Sequence, residues 1–272
     1  MYRRHSLARI RPLADLTTRA TSAPCLMTLR PSFIEQPALG CLRPWWESYV
    51  RAGLNAYVAG VESPAASAHE IYTTQVFERV SELDNSINSV RLAMSLLMNL
   101  THSHENAAET YRYHYENLIF RLTGIDDRAH RLVGAAIGMP PRDLEKNGGN
   151  KRVVERIQAS EPDVYQRLAE ISRLVQAHKS VRNKVAHAEA FSNREIGLFL
   201  AISSLKLDTG DMGDVHSLMD AYFSREACGF APLIAGLVEA IEALIAELKP
   251  IFERVASVQL SPDHDGTHPN PG

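Results

Sequence analysis

The sequence predicts an all-α protein, an up-and-down antiparallel helical bundle, on three observations. Apolar residues recur every three or four positions over four long stretches, a spacing that places them on one face of a helix. The first two stretches keep this pattern without a slip and are joined by three or four residues, which predicts an antiparallel helical hairpin. No stretch of useful length alternates apolar and polar residues as a half-buried strand does. At 272 residues, the chain is long enough for one large helical domain with extensions.

The first 40 residues are predicted to form a flexible basic extension, because they contain four prolines and no sustained apolar period. Residues 1–30 hold six arginines against one acid, Asp15, a balance of +5. The whole chain carries −3, so the remainder carries −8. The arginine-rich, acid-poor start is similar in composition to a transit peptide. An unstructured extension, or a translation start at Met27, explains it as well, and this is the interpretation we favour.

A single domain is predicted over residues 41–257, and its first element is a short helix. This helix covers residues 44–59, because a proline suits the first turn and Gly60 follows as a stop signal. Its expected packing face includes Trp46 and Tyr57. The two tryptophans of the chain are interpreted as core anchors.

The helical hairpin follows, with its two arms at residues 67–102 and 106–138. The Met-Pro-Pro run at 139–141 ends the second arm, because proline cannot continue a helix. Residues 142–150 are predicted to be an exposed loop, since they contain Asn-Gly-Gly-Asn. A minor helix is expected at 151–158.

Two capping signals then mark the starts of further helices. Ser-Glu-Pro-Asp at 160–163 begins the long helix that ends near residue 187, and Ser-Asn-Arg-Glu at 192–195 begins a helix to residue 206. The acidic, glycine-rich stretch 208–214 is interpreted as a solvated linker. A last long helix is predicted at 232–257, with a kink at its proline. Residues 258–272 are expected to be a disordered tail.

One polar intrusion interrupts the apolar face of the helix that ends near residue 187. Continuing the three-and-four rhythm of that face places His178, Arg182 and Val185 at the next positions. An arginine in such a place is costly to bury unless it is paired or functional. His187 lies five residues after Arg182, about 140° around a straight helix. Either the helix breaks near Ala186, or the two side chains meet through a second copy of the chain.

The segment Arg182-Asn183-x-x-x-His187 resembles the R-x4-6-H signature of HEPN domains, small all-α modules found in many prokaryotic toxin and defence systems. The same spacing also occurs between Arg173 and His178. What distinguishes the first match is its context, namely the Arg-Asn pair and the place of the arginine in an apolar seam. The resemblance covers roughly residues 65–257 and implies a HEPN-type bundle.

The resemblance also implies an activity, metal-independent RNA cleavage. In that reaction the ribose 2′-OH attacks its adjacent phosphate and leaves a 2′,3′-cyclic phosphate and a 5′-OH. His187 would move the proton, Arg182 would stabilise the charge on phosphate, and Asn183 would position phosphate or ribose. The structural alternative is that Arg182 pairs with an acid such as Glu116, while His187 caps the helix C-terminus. Some family members carry a modifiable tyrosine two residues after the histidine, where this chain has Glu189.

A second polar group lies on the hairpin and near the motif. As a hypothesis, these residues form an accessory wall of the same RNA-binding groove, with phosphate contacts and base stacking. A solvated charged face explains them equally well. The accessory residues are His178, Lys184, Tyr113, Glu116, Asn117 and Arg121.

Cofactors and metals are not predicted. The three cysteines are scattered, which indicates neither a disulfide framework nor a zinc site and fits a reducing cytosol. His102 and His104 do not have the spacing of a helical ligand pair. No apolar run approaches the roughly 18 residues of a membrane span, so no membrane partner is expected.

The sequence therefore predicts a cytoplasmic HEPN-type endoribonuclease, active in a toxin–antitoxin, stress or phage-defence setting. Its expected partners are RNA, a second copy of the chain bound through the motif helices, and an antitoxin or defence protein. Because the body is acidic, RNA contact must be confined to a groove. The alternative is a non-catalytic HEPN bundle that binds RNA, a nucleotide or a protein. A purely structural helical protein, with the motif a coincidence, is the third possibility.

Overall fold

The computed structural model describes residues 32–62, 65–187, 190–205, 207, 210 and 214–258. All of the regular elements in this part of the chain are helical. Two short 3-10 turns, Phe33–Glu35 and Pro37–Leu39, precede the first α-helix. The α-helices are α1 (Arg43–Val58), α2 (Ala68–Met98), α3 (Ala107–Ala136), α4 (Pro141–Glu145), α5 (Gly149–Ser160), α6 (Pro162–His187), α7 (Arg194–Leu205), α8 (Val215–Cys228), α9 (Ala231–Glu247) and α10 (Lys249–Ser257).

Four of these helices, α2, α3, α6 and α9, form the bundle. Helices α2 and α3 are the predicted hairpin. Helix α6 runs antiparallel to α3, because Asp126 contacts Lys179 while Glu116, earlier in α3, reaches Phe191 beyond the end of α6. Helix α9 packs on α6 and also contacts α2. The all-α, up-and-down antiparallel bundle is therefore confirmed.

The apolar seams read from the sequence form the core. In α2, all apolar positions predicted from the three-and-four spacing are buried except Met94, which packs against the core from its edge. The predicted positions are Val76, Val80, Leu83, Ile87, Val90, Met94 and Leu97. Helix α6 buries all four of its predicted apolar seam residues. These are Val164, Leu168, Ile171 and Val175.

Residues 32–40, predicted as part of the flexible extension, instead pack onto the bundle. Phe33 and Leu39 are buried, and the side chain of Asp84 on α2 accepts the backbone N–H of Phe33 at 2.9 Å. The predicted domain start at residue 41 is therefore too late. Short 3-10 turns carry no apolar period, so the segment lacked the signal of a folded element. The rest of the predicted extension, residues 1–31, lies outside the described residues.

The α1 helix has the predicted bounds but not the predicted packing. Only one side of it meets the bundle, where the Trp46 ring stacks on Phe77 with centroids 4.4 Å apart. Tyr57, expected on the packing face, is 84% exposed. Helix α1 therefore lies along the edge of the bundle and buries no residue fully.

The C-terminal part of the bundle adds one helix that the sequence patterns had not assigned and confirms one predicted kink. The additional helix is α8, which packs on α2. The predicted helix at 232–257 is divided at Leu248 into α9 and α10, and Pro250 lies in the first turn of α10. The expected tail beyond Val258 lies outside the described residues.

A window within Val215–Ser257 has a mean hydropathy of 1.8, which by length and composition is enough for a membrane span. This finding qualifies the expectation that no such run exists. Of that window, 44% is buried inside the bundle, and the stretch is divided among α8, α9 and α10. Within this stretch, α9 buries seven of its residues in the core, among them Leu237, Ile241 and Leu244.

Candidate functional site

The motif lies on the last turns of α6, where the helix leaves the core. After Val175, the next seam position is His178, which is half-buried against the ring of Phe230 with centroids 5.4 Å apart. Arg182 follows one turn later and is also half-buried. The starts of α3 and α9 lie at this same end of the antiparallel bundle, so the motif is placed where three core helices end or begin.

Among the described residues, Arg182 makes one side-chain hydrogen bond. Its Nη1 donates to Oδ1 of the adjacent Asn183 at 3.0 Å. Within the described residues Arg182 has no ion pair, and Glu116 instead accepts the backbone N–H of Phe191 at 2.6 Å. The Arg182–Glu116 pair considered from the sequence is therefore not formed. Since a guanidinium carries five N–H donors, most of those of Arg182 remain available.

His187 is the last residue of α6, and its side chain is exposed. The helix continues through Ala186, so the break that would bring His187 round to Arg182 does not occur there. The two side chains of one chain thus keep the separation of about 140° that five helical residues impose. Lys184 and Asn183 are exposed as well.

An aromatic cluster packs at the end of the bundle that carries the motif. The ring of Tyr115 stacks on Phe191 at a centroid distance of 4.1 Å and meets Phe230 edge-on at 5.9 Å. Burial raises the pKa of Tyr115 to about 12, so its hydroxyl stays protonated at neutral pH. Burial lowers the pKa of His178, which favours a neutral imidazole there. His178 is therefore better suited to packing than to holding an anionic phosphate.

A buried polar network fixes α6 just before the motif. The carboxylate of Asp126, on α3, accepts the hydroxyl of Ser172 at 2.6 Å and the ammonium of Lys179 at 2.7 Å. His130 donates to the backbone carbonyl of Asp126 at 2.8 Å. Sequence reasoning missed this network. The sequence did contain one signal for it. Ser172 and Lys179 lie seven residues, or two helical turns, apart on one side of α6, next to its apolar face.

The structure does not place all of the predicted accessory residues in one groove. Glu116 lies near the motif, because its carboxylate accepts the backbone N–H of Phe191, a few residues beyond the end of α6. Tyr113 is exposed. Asn117 and Arg121 face another way, since Arg121 Nε donates to Asn117 Oδ1 at 2.8 Å and Arg121 lines a cleft against α2. The single accessory wall proposed from the sequence is thus divided between two sides of α3.

Of the two histidines in the α2–α3 loop, His102 contacts α8, whereas His104 bonds Thr101 in the same loop. His102 Nδ1 lies 2.8 Å from Oδ2 of Asp220, and the His102 ring stacks on His216 at 4.5 Å. Among the described residues, no group of three histidine, cysteine or acidic side chains is placed to hold a metal ion.

An antiparallel bundle that carries an Arg-Asn pair and a histidine at the end of one core helix defines a class of protein, the HEPN domain. A model of HEPN domains, described as Cthe2314-like HEPN, matches residues 65–254, more than half of the chain. The protein belongs to this HEPN family. Searches of curated proteins and of solved structures gave no match.

Proposed function

We propose that the protein is a metal-independent endoribonuclease of HEPN type, acting in the cytoplasm in a toxin–antitoxin, stress or phage-defence setting. The observation that carries the proposal is the half-buried Arg182, which has no carboxylate partner among the described residues and lies beside Asn183. A guanidinium without a carboxylate partner keeps N–H donors free for an anionic ligand. A phosphodiester is such a ligand.

The chemistry follows from three side chains. Imidazole moves protons near neutral pH, so His187 transfers a proton to or from the reacting oxygens. Arg182 stabilises the charge that develops on the phosphorane, since a planar guanidinium stays charged and binds two oxygens at once. Asn183 orients the guanidinium through its Oδ1, and its amide N–H groups remain free to bind phosphate or ribose.

The active unit that we propose is a homodimer. Helix α7 directly follows the motif and is mostly apolar, yet Leu198 is 54% and Leu205 is 67% exposed. Apolar area of this kind on a helix next to the motif suits burial against a second copy. A two-fold axis there brings Arg182 of one protomer towards His187 of the other, which removes the 140° separation within one chain.

The test is cleavage of single-stranded RNA by purified protein in the presence of EDTA. We expect products with 2′,3′-cyclic phosphate ends, and we expect His187→Ala to lower the rate by about 10²–10⁴-fold. The exposed His104 provides the matched control, and His104→Ala should cleave at the wild-type rate. Undiminished cleavage by His187→Ala places catalysis elsewhere. An inactive wild type across varied RNAs favours the alternative, a non-catalytic HEPN bundle that binds RNA, a nucleotide or a protein.

A further inference from the structure

The last turns of α6, which carry the motif, lie outside the core. Val175 is the last buried residue of α6, and the next buried residue along the described chain is Ile196, in α7. A helix end frays unless packing holds it, because its last carbonyl groups have no partner within the helix. The directions of Arg182 and His187 therefore depend on contacts that hold this end of α6 against the bundle.

Two carboxylates of α3 make such contacts, one on each side of the motif. Before the motif, Asp126 accepts the ammonium of Lys179 at 2.7 Å. Beyond the motif, Glu116 accepts the backbone N–H of Phe191 at 2.6 Å. The two acids are ten residues apart, about 15 Å along α3, so one rigid helix holds the chain on both sides of the motif.

Phe191 is fixed through both its backbone and its ring. Its N–H donates to the Glu116 carboxylate, and a hydrogen bond to a charged acceptor is stronger than one between neutral groups. Its half-buried ring stacks on Tyr115, the neighbour of Glu116, with centroids 4.1 Å apart. Phe191 lies four residues after His187, a length of chain that spans at most about 14 Å. The position of Phe191 therefore limits where the end of α6 can lie.

We propose that Glu116 is a positioning residue for the motif. By holding Phe191, it fixes the end of α6 and with it the directions of Arg182 and His187. The inference rests on the proposed nuclease, in which those two side chains act on a phosphate. Glu116 acts through the hydrogen bond that it accepts and not through contact with RNA, because a carboxylate repels phosphate. Glutamine at this position keeps the acceptor oxygen and removes the charge, whereas alanine removes both.

The experiment compares wild type, Glu116→Gln and Glu116→Ala in two measurements. The first is the kcat and KM of single-stranded RNA cleavage in EDTA. The second is the NMR signal of the His187 imidazole in RNA-free protein, identified by its absence from His187→Ala. The control is Glu109→Ala, which removes the same charge two turns earlier on α3, from a carboxylate whose buried Oε2 has no hydrogen-bond partner among the described residues. Circular dichroism checks the fold. If Glu116→Ala is unfolded, Phe191→Leu takes its place, because it removes the ring stack and keeps the N–H.

We expect Glu116→Ala to lower kcat by about 10- to 100-fold with KM little changed, because a small displacement of a catalytic group slows the reaction without removing a substrate contact. Glu116→Gln should keep kcat within about threefold of wild type, since its neutral oxygen still accepts the N–H. The His187 signal should shift or broaden in Glu116→Ala and stay close to that of wild type in Glu116→Gln. The control should match wild type in both measurements.

Three results overturn the proposal. One is a His187 signal that is the same in wild type and Glu116→Ala. Another is a glutamine variant as slow as the alanine variant, which would assign the effect to the charge. The third is a change confined to KM, which would make Glu116 an RNA contact. If the wild type does not cleave RNA, the nuclease proposal fails, and the His187 signals of the three proteins still decide whether Glu116 positions the motif.

Discussion

Arg182 occupies a position on the apolar face of α6 where an aliphatic side chain would have a lower desolvation cost. We expect Arg182→Leu to remain folded, with a melting temperature equal to or above that of wild type, and to lose RNA cleavage. The reason is that no ion pair of Arg182 within the described residues is broken and apolar contact is gained. Thermal denaturation and the EDTA cleavage assay check both parts. A loss of several kcal/mol would show that Arg182 belongs to a structural ion pair.

His178 gives the fold a pH dependence. Burial lowers its pKa below the ordinary value near 6.5, so in acid the unfolded chain takes up a proton before the folded chain does. The contribution of His178 to the free energy of unfolding is therefore fully present above the pKa that this histidine has in the unfolded chain, about 6.5. It declines as the pH falls from there through the lower pKa of the folded chain. His114 acts in the same direction, because burial also lowers its pKa.

The measurement is urea unfolding of wild type and His178→Gln between pH 7.5 and 5. The wild type should lose stability towards acid, and the variant should lose less over the same range. Parallel curves for the two proteins would show that His178 titrates alike in the folded and unfolded states.

At the residue scale, the sequence locates the motif but not its neighbours. The seam rhythm placed Arg182 on the last turns of α6, because helical spacing is local, but it left open whether the helix breaks near Ala186, before His187. The contacts of Glu116 with Phe191 and of Asp126 with Lys179 join residues 75 and 53 positions apart. Nothing in local spacing encodes which partner a polar side chain meets across a bundle.

Helices α3 and α6 are joined by the Asp126 network, which sets the position of the motif helix. Asp126→Ala removes the acceptor of both Ser172 and Lys179, and we expect it to lower the free energy of unfolding by about 1–3 kcal/mol. The adjacent Asp127 is the control, since within the described part of the chain its carboxylate accepts one hydrogen bond, from Asn150 at 2.7 Å. Asp127→Ala should cost less. Equal losses in chemical denaturation would show that the network adds no specific stability.

At the element scale, long seams were predictable and short ones were not. The bounds of α2 and α3 were predicted to within a few residues because nine or so turns repeat the same pattern. Helix α8 follows a glycine-rich stretch and has only four turns. Its signals were nevertheless present, since Asp214 accepts the N–H of Ser217 as an N-cap. Its apolar residues also recur at helical spacing: Met219, Tyr222, Phe223 and Ala227.

For the whole molecule, charge restricts where RNA can bind. The chain beyond residue 30 carries −8, which disfavours general attraction to a polyanion. Arg182 and Lys184 lie at one end of the bundle, whereas Arg121 and Arg128 line a cleft between α2 and α3. RNA binding should therefore depend on cations that lie close to the motif, such as Arg182 and Lys184, and should weaken as salt rises.

The last prediction concerns the dimer. Within one protomer, Arg182 and His187 point in different directions from α6 and cannot both contact the same phosphate. If the arginine of one copy works with the histidine of the other, Arg182→Ala and His187→Ala chains unfolded and refolded together should regain activity. Random pairing gives half mixed dimers, each with one complete site of two, so about a quarter of the wild-type rate is expected. A mixture of the same variants without refolding is the control. Sedimentation that shows only monomer at micromolar concentration, with that monomer cutting RNA, would rule out the composite site.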